Sequence, residues 1–305
     1  MASFHADEIA AQERAGHVLG ETPAIRAFMP EQHRIFLAGL PYLFVGTIDA
    51  AGAPVATVLT GQPGFVRSPD ATHLAIAAAL DPADPVARVL VPGAEVGILG
   101  LDFATRRRNR ANGRVVQCDP EGLTVAVAQS FGNCPQYIQR RISRPVVGPA
   151  GPVEPLSVLD TEAADLVQSA DTLFVASRAR DGLADGGADI SHRGGRPGFV
   201  RIRGDVLTVP DFPGNRYFNT LGNLIGEPRA ALLFLDFARS DLLVLQGRTV
   251  IDWTGAEAAH LMGAQRSWSL TVEQGWRRRA AVPLRWGAPE PAPQLTRTGL
   301  WAGPA

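Results

Sequence analysis

Three stretches of this chain concentrate side chains that hold anions. "SHRGG" (191–195) places Ser191, His192 and Arg193 in a row, and "GNRYFNTLGN" (214–223) carries Asn215, Arg216, Asn219, Thr220 and Asn223. "TRRRNRANG" (105–113) supplies Arg106, Arg107, Arg108 and Arg110. A phosphate needs N–H, O–H and guanidinium donors, and arginine can meet it with two parallel bonds. A helix opening near Asn219 or Thr220 adds free N–H groups and a favourable dipole. The arginine run reads either as a solvated edge or as a set of anion contacts. Other chemistries lack their residues. There is no GxGxxG turn for a Rossmann domain and no Cys/His set for zinc. No nucleophile has His and acid partners at a spacing that suggests hydrolysis. The two cysteines, Cys118 and Cys134, form no framework of pairs, and Cys134 reads as a small buried hydrophobe rather than a nucleophile. No metal is expected.

The elements that must position these groups occur twice. "PGFVR" stands at 63–67 and at 197–201, an offset of 134 (197 − 63). "LDF" (101–103, 235–237) and "GR" (113–114, 247–248) keep the same offset. Matches in constant register imply an internal duplication. The register also shows what the copies do not share. His192 and Arg193 face Val58 and Leu59, and Asn215, Arg216, Asn219 and Thr220 face Asp81, Pro82, Pro85 and Val86. The arginine run of the first copy faces the nearly apolar "RSDLLVLQG" (239–247) of the second. Each half holds what the other lacks, which predicts one shared site across their interface rather than two.

The rest of the sequence fits two small antiparallel units. Hydrophobic residues make up 46% of the 305 and charged residues 19%, a globular composition. A net charge of −1 offers no global attraction to nucleic acid or anionic membrane. The start lacks a signal-like apolar run, and no stretch approaches a membrane span. With few cysteines this suggests a reduced, cytoplasmic setting. Strands are expected at 172–179, within 198–211 as a hairpin, and at 229–237, 242–253 and 280–286, with a loop leading into a short helix at 214–228 and a helix at 255–266. The first copy repeats the plan and adds a helix in "PQYIQRRI". The Pro/Gly-rich 143–155 reads as the linker. The expected class is mainly β (α+β): two tandem split barrels packed as a pseudo-dimer. One unit spans 1–150, with an N-terminal helical extension and a degenerate cradle. The other spans 151–305, with the binding loops and a C-terminal extension.

"ADISHRGGRPGFVRI", "LTVPDFPGNRYFNTLGNLIGEPRAALLFLDF", "LLVLQGRTVI" and the first copy's "VAVAQSFGNCPQYIQRR" resemble the pyridoxamine-phosphate-oxidase-like, flavin-binding split-barrel family. The chain departs from the true oxidase pattern. "SHRGG" and "GNRYFNT" stand where an Arg-x-Val-Leu-Leu-Lys strand and a Ser-Arg-Lys turn would be, so pyridoxamine phosphate is not the expected substrate. The resemblance implies FMN at the barrel interface, its phosphate held by basic and hydroxyl side chains. The residues expected to bind it are Ser191, His192, Arg193, Asn215, Arg216, Asn219, Thr220 and Asn223, with Arg107 and Arg108 from the first copy. No general base is evident. The expected activity is flavin-mediated hydride or electron transfer to a small substrate, with NADH or NADPH as a candidate donor. The alternatives are a non-catalytic flavin- or haem-binding protein, with His192 as axial ligand, or a subunit served by a separate reductase. A monomeric pseudo-dimer or a homodimer fits the duplication.

Overall fold

The computed structural model describes residues 3–17 and 24–301. Two short helices, α1 (Ala6–Arg14) and α2 (Glu31–Ala38), precede β1 (Tyr42–Ile48), β2 (Pro54–Thr60), β3 (Val66–Arg67) and β4 (His73–Ile76). A 3₁₀ turn (Pro85–Arg88) follows, then β5 (Glu95–Asp102), β6 (Arg107–Asp119) and β7 (Gly122–Gly132). Two short strands, β8 (Ser143–Pro145) and β9 (Val153–Leu156), and helix α3 (Thr161–Ser169) lead into the second half. There β10 (Thr172–Arg178), β11 (Ala188–Gly194), β12 (Arg201–Arg203) and β13 (Val206–Asp211) precede α4 (Asn219–Gly226). β14 (Arg229–Leu235), β15 (Leu242–Asp252), β16 (Arg266–Arg278) and β17 (Leu284–Trp286) complete it. The first sheet runs β2-β1-β5-β6-β7-β4-β3 and the second β11-β10-β14-β15-β16-β13-β12, so the two have one topology. The protein is two split β-barrels in tandem.

The repeated motifs mark points where the backbone admits few residues. Gly113 and Gly247 each sit at a register shift, between Asn112/Gly113 and Gln246/Gly247. A Cβ there would lie 1.9 Å from the carbonyl oxygen of Ala126 or Thr271, so both bulges require glycine. In "PGFVR", Gly64 and Gly198 turn the chain at φ +92° and +87°. In "LDF", Asp102 and Asp236 accept from the N–H two residues on, closing the same turn in each half.

The halves pack about a pseudo-two-fold axis through their aromatic residues. Phe44 and Phe174 pair with Leu99 and Leu233, which are themselves one offset apart. Their rings stack on each other with centroids 3.6 Å apart. The two "LDF" phenylalanines, Phe103 and Phe237, meet edge to face at 5.2 Å. One hydrophobic cluster runs through both halves, from Leu43 and Leu99 to Leu233 and Val244. Gly97 allows a close approach, since a Cβ there would lie 2.6 Å from the Asp189 Cα. That contact sets β11 directly against the first barrel.

Several local expectations differ from the structure. Residues 255–266 form turns rather than a helix until β16 begins, because Gly255 and Gly263 hold φ +69° and +84°. "PQYIQRRI" is also not helical: Tyr137 takes φ +62°, and Arg140 pairs with Glu290 in an isolated bridge. The expected linker contributes β8, which pairs with β17, and β9, which pairs with β16. Helix α1 packs on α4 of the second barrel: Asn223 Oδ1 lies 2.9 Å from His5 Nε2, and Asn219 bonds Glu8. Among the described residues, no helix is long and apolar enough to cross a membrane.

Candidate functional site

The site forms where β6 of the first barrel crosses β11 and the β13–α4 loop of the second. Arg110 stands opposite Phe131 on β6–β7 and reaches across the interface. It donates to both Asp189 oxygens (2.9 and 3.0 Å), to Asn219 Oδ1 (3.2 Å) and to Ser191 Oγ. Asn112 Nδ2 also donates to Asp189, at 3.1 Å. Ser191 Oγ donates to Asp189, and Thr220 Oγ1 donates to Ser191 at 2.8 Å. This network is buried, and of its atoms Arg110 Nε and Asn112 Oδ1 are left without a partner. It fixes the N-terminus of α4 against β11.

Two adjoining clefts open on this frame. One, of about 70 Å³, is lined by Arg193, Asn215, Arg216 and the first residues of α4. The other, of about 60 Å³, is lined by Arg108, His192, Arg193, Gln136 and Tyr137. Asp211 lines both. The N-cap of helix α4 is Phe218, whose φ is +58° and whose side chain caps nothing, so the helix's first N–H groups lack an intrahelical partner. Arg216, at φ +64°, shares the left-handed region. Such geometry in a non-glycine loop is costly and gathers at binding sites.

The clefts are cationic and hold unused donors. Burial, with Arg110 and Arg193 alongside, pushes the Arg108 guanidinium down to about 9, still charged at neutral pH. Arg108 Nε donates to the Cys134 carbonyl at 2.8 Å, and its Nη1 lies 3.2 Å from His192 Nδ1. A guanidinium only donates, so Nδ1 accepts and the imidazole proton sits on Nε2. Burial, then Arg108 and Arg193, hold His192 well below its ordinary range, so it is neutral. His192 Nε2, Arg193 Nε and Arg110 Nε are buried without a hydrogen-bond partner. Orphaned donors of this kind mark a place where a ligand or water completes the bonding.

The sequence-selected residues therefore divide into groups. His192, Arg193, Asn215, Arg216 and Arg108 line the clefts. Ser191, Asn219 and Thr220 also touch the first cleft, but their side chains are engaged in the frame beneath it. Asn219 and Thr220 do not cap α4, because Phe218 is the N-cap and they are its first two helical residues. Asn223 sits a turn further on and is held by His5 and Ser177. Arg107 does not reach the site: its guanidinium lies over the Phe36 ring of α2, 5.1 Å from the centroid. Alternation along β6 explains this, since Arg108 and Arg110 share one face and Arg107 and Asn109 the other. Arg110 was visible in the arginine run. The carboxylates Asp189 and Asp211 and the loop residues Gln136 and Tyr137 carried no comparable signal.

The equivalent place in the first half is closed to an anion from within. Asp84 corresponds to Phe218. Its carboxylate caps the 3₁₀ turn at the Val86 N–H (2.9 Å) and accepts from the Thr57 hydroxyl, the counterpart of Ser191. The chain's own carboxylate thus occupies the helix N-terminus that the second half leaves free.

No family model matches this chain, and no curated protein matches it. Solved structures do resemble parts of it. A FAD-binding protein from Mesorhizobium loti is 16% identical, with 42% of this chain and 98% of that one covered and a TM-score of 0.29. A pyridoxinephosphate oxidase family protein from Clostridium acetobutylicum is 17% identical over 41% of this chain and 91% of its own, with a TM-score of 0.30. HutZ, the heme storage protein of Vibrio cholerae, is 14% identical over 39% and 93%, with a TM-score of 0.26. The chain is similar to proteins of the flavin-binding and pyridoxamine-phosphate-oxidase kind, and each of these matches about 40% of it.

Proposed function

We propose that this protein is a flavin-dependent oxidoreductase with one FMN site, assembled by both barrels. The observation that carries the reading is the pair of cationic clefts with orphaned donors at the uncapped start of α4. Four arginines line them against the single lining carboxylate of Asp211. A cleft of about 70 Å³ has the volume of roughly two waters at about 30 Å³ each, which suits a phosphoryl group. Arg193, Arg216 and the α4 N–H groups would hold that group, and Arg108 and His192 would hydrogen-bond the portion of ligand beside it. A bound flavin supplies a ring that accepts and returns hydride or electrons. The residues described here bind and orient. The buried frame of Arg110, Asp189 and Ser191 keeps the donors at fixed separation, so little ordering remains to be done on binding.

The haem reading has less support. An axial ligand requires the iron at its own nitrogen, and His192 is buried behind Arg108 beside a cleft of about 60 Å³. A flavin needs only its phosphate inside. The test is direct. The purified protein should be yellow, release FMN identified by mass spectrometry, and bleach when NADH or NADPH is added without oxygen. A Soret band would replace this reading with haem. FMN that binds but never bleaches with any donor would leave a carrier rather than an enzyme.

A further inference from the structure

The place equivalent to the anion cleft, in the first barrel, holds a cavity of its own. It measures about 180 Å³, larger than either cleft of the second half. Thr57, Val58 and Leu59 line it where Ser191, His192 and Arg193 stand in the other half, and Leu242 stands in place of Arg108. Leu90, Trp276 and Val282 add apolar wall. The charges are reversed. Asp81, Asp84 and Arg278 are the charged residues lining the cavity, and Arg278 is ion-paired to Asp81. That leaves Asp84 as a carboxylate with no ion-pair partner among the described residues, hydrogen-bonded only to the Thr57 hydroxyl and the Val86 N–H. A negative group beside apolar walls gains most from a ligand that brings both a positive charge and an apolar body.

We infer that this cavity is a second ligand site, specific for a compact organic monocation, an amine on a small apolar body. An apolar cavity of about 150 Å³ accepts benzene, so a ligand of benzylamine size fits this one. The ammonium would donate to Asp84, the Thr57 hydroxyl would remain on the same carboxylate, and the ring would lie against Leu59, Leu90 and Trp276. The duplication would then have yielded two sites of opposite charge preference. The inference does not depend on the flavin reading, because the two sites share no lining residue.

Benzylamine, benzyl alcohol and benzoate are the probes, titrated into the full chain by calorimetry while the Trp276 indole N–H is followed by NMR, assigned with Trp276→Phe. Benzylamine should saturate and shift that signal at concentrations below about 10 mM, in the range open to so small a ligand. Benzyl alcohol should bind at least about tenfold more weakly, and benzoate not at all. Asp84→Asn keeps the cap and should weaken benzylamine by about tenfold or more. Ala281→Leu, a larger residue in the lining, should also reduce it. The inference is overturned if benzylamine does not saturate, if benzoate binds as well, or if Asp84→Asn leaves the affinity unchanged. None of these results bears on FMN release or bleaching.

Discussion

At the scale of single residues, the site separates donors left free for a ligand from residues that hold those donors in place. Arg193 and Arg216 make no side-chain hydrogen bond among the described residues, although Arg193 Nε is buried. Charge-assisted bonds contribute about 1.5–3 kcal/mol each. Arg193→Ala with Arg216→Ala should therefore weaken FMN binding by a hundredfold or more, on the order of 3–6 kcal/mol, as measured by fluorescence titration of the apoprotein. Leu59→Ala, the equivalent change in the first half, should leave that affinity unaltered. Equal losses at both positions would show that the halves are not specialised. Arg110 and Asp189 behave differently, being a buried pair at 2.9 Å. Arg110→Ala strands the Asp189 carboxylate and should cost about 3–5 kcal/mol in urea unfolding. Val244 and Val55 stand at the equivalent positions. The double change Arg110→Val, Asp189→Val should recover most of the lost stability without restoring FMN affinity. If the double variant is as unstable as the single one, the pair is a net source of stability and not a positioning device.

At the scale of elements, α1 links the N-terminus to the start of α4 through one carboxyl. Burial raises Glu8 to about 8, opposed by its bonds from the Asn219 amide and the His5 N–H. A carboxyl raised in the folded state binds its proton more tightly there than in the unfolded chain. Its contribution is therefore complete below the unfolded value and is lost as pH rises through the folded one. The melting temperature should fall between about pH 5 and pH 8, and Glu8→Gln should flatten that slope. A slope that survives in Glu8→Gln would place its origin elsewhere. Elements also mark how far the sequence could be read. The duplication, most of the barrel strands and the hairpin turn at Gly204 were legible because period-two alternation and fixed glycines survive in one dimension, but β11 was not expected. α1 on α4 was not, because nothing local marks Glu8 as a partner of Asn219, 211 positions away. The Ala-rich 255–266 reads as helix by propensity, but glycines in left-handed conformation at both ends break it. β16 was missed although Trp268, Leu270 and Val272 alternate within it. Its place in the sheet is set by β13 and β15, which no short window contains. Among site residues, those that expose donors were legible from type alone. Which arginine of the run turns inward was settled by strand parity, and parity depends on where β6 begins.

At the scale of the whole molecule, a pseudo-two-fold axis makes two equivalent places, and the sequence fills them unequally. One carries Arg108, Arg110, Arg193 and Arg216 beside a helix N-terminus that no side chain caps. The other carries Leu242, Val244, Leu59 and Pro82, and Asp84 caps its turn. An anion brought to the second place would meet the Asp84 carboxylate in a cavity with no free cation, since Arg278 is engaged by Asp81. Desolvating a phosphate against a carboxylate is strongly unfavourable. The protein should therefore bind one FMN per chain, in monomer or dimer alike, counted by absorbance after denaturation against the protein concentration from amino-acid analysis. Two per chain would defeat the asymmetry. The binding should also weaken as salt rises, because the unpaired arginines attract the phosphate through space. Arg108→Gln with Arg193→Gln should flatten that dependence along with the affinity. Arg107→Gln should change neither, since that guanidinium rests on Phe36 on the other face of β6. A salt dependence lost equally in Arg107→Gln would mean that the attraction is general to the strand. The cleft between the barrels would then not be its source.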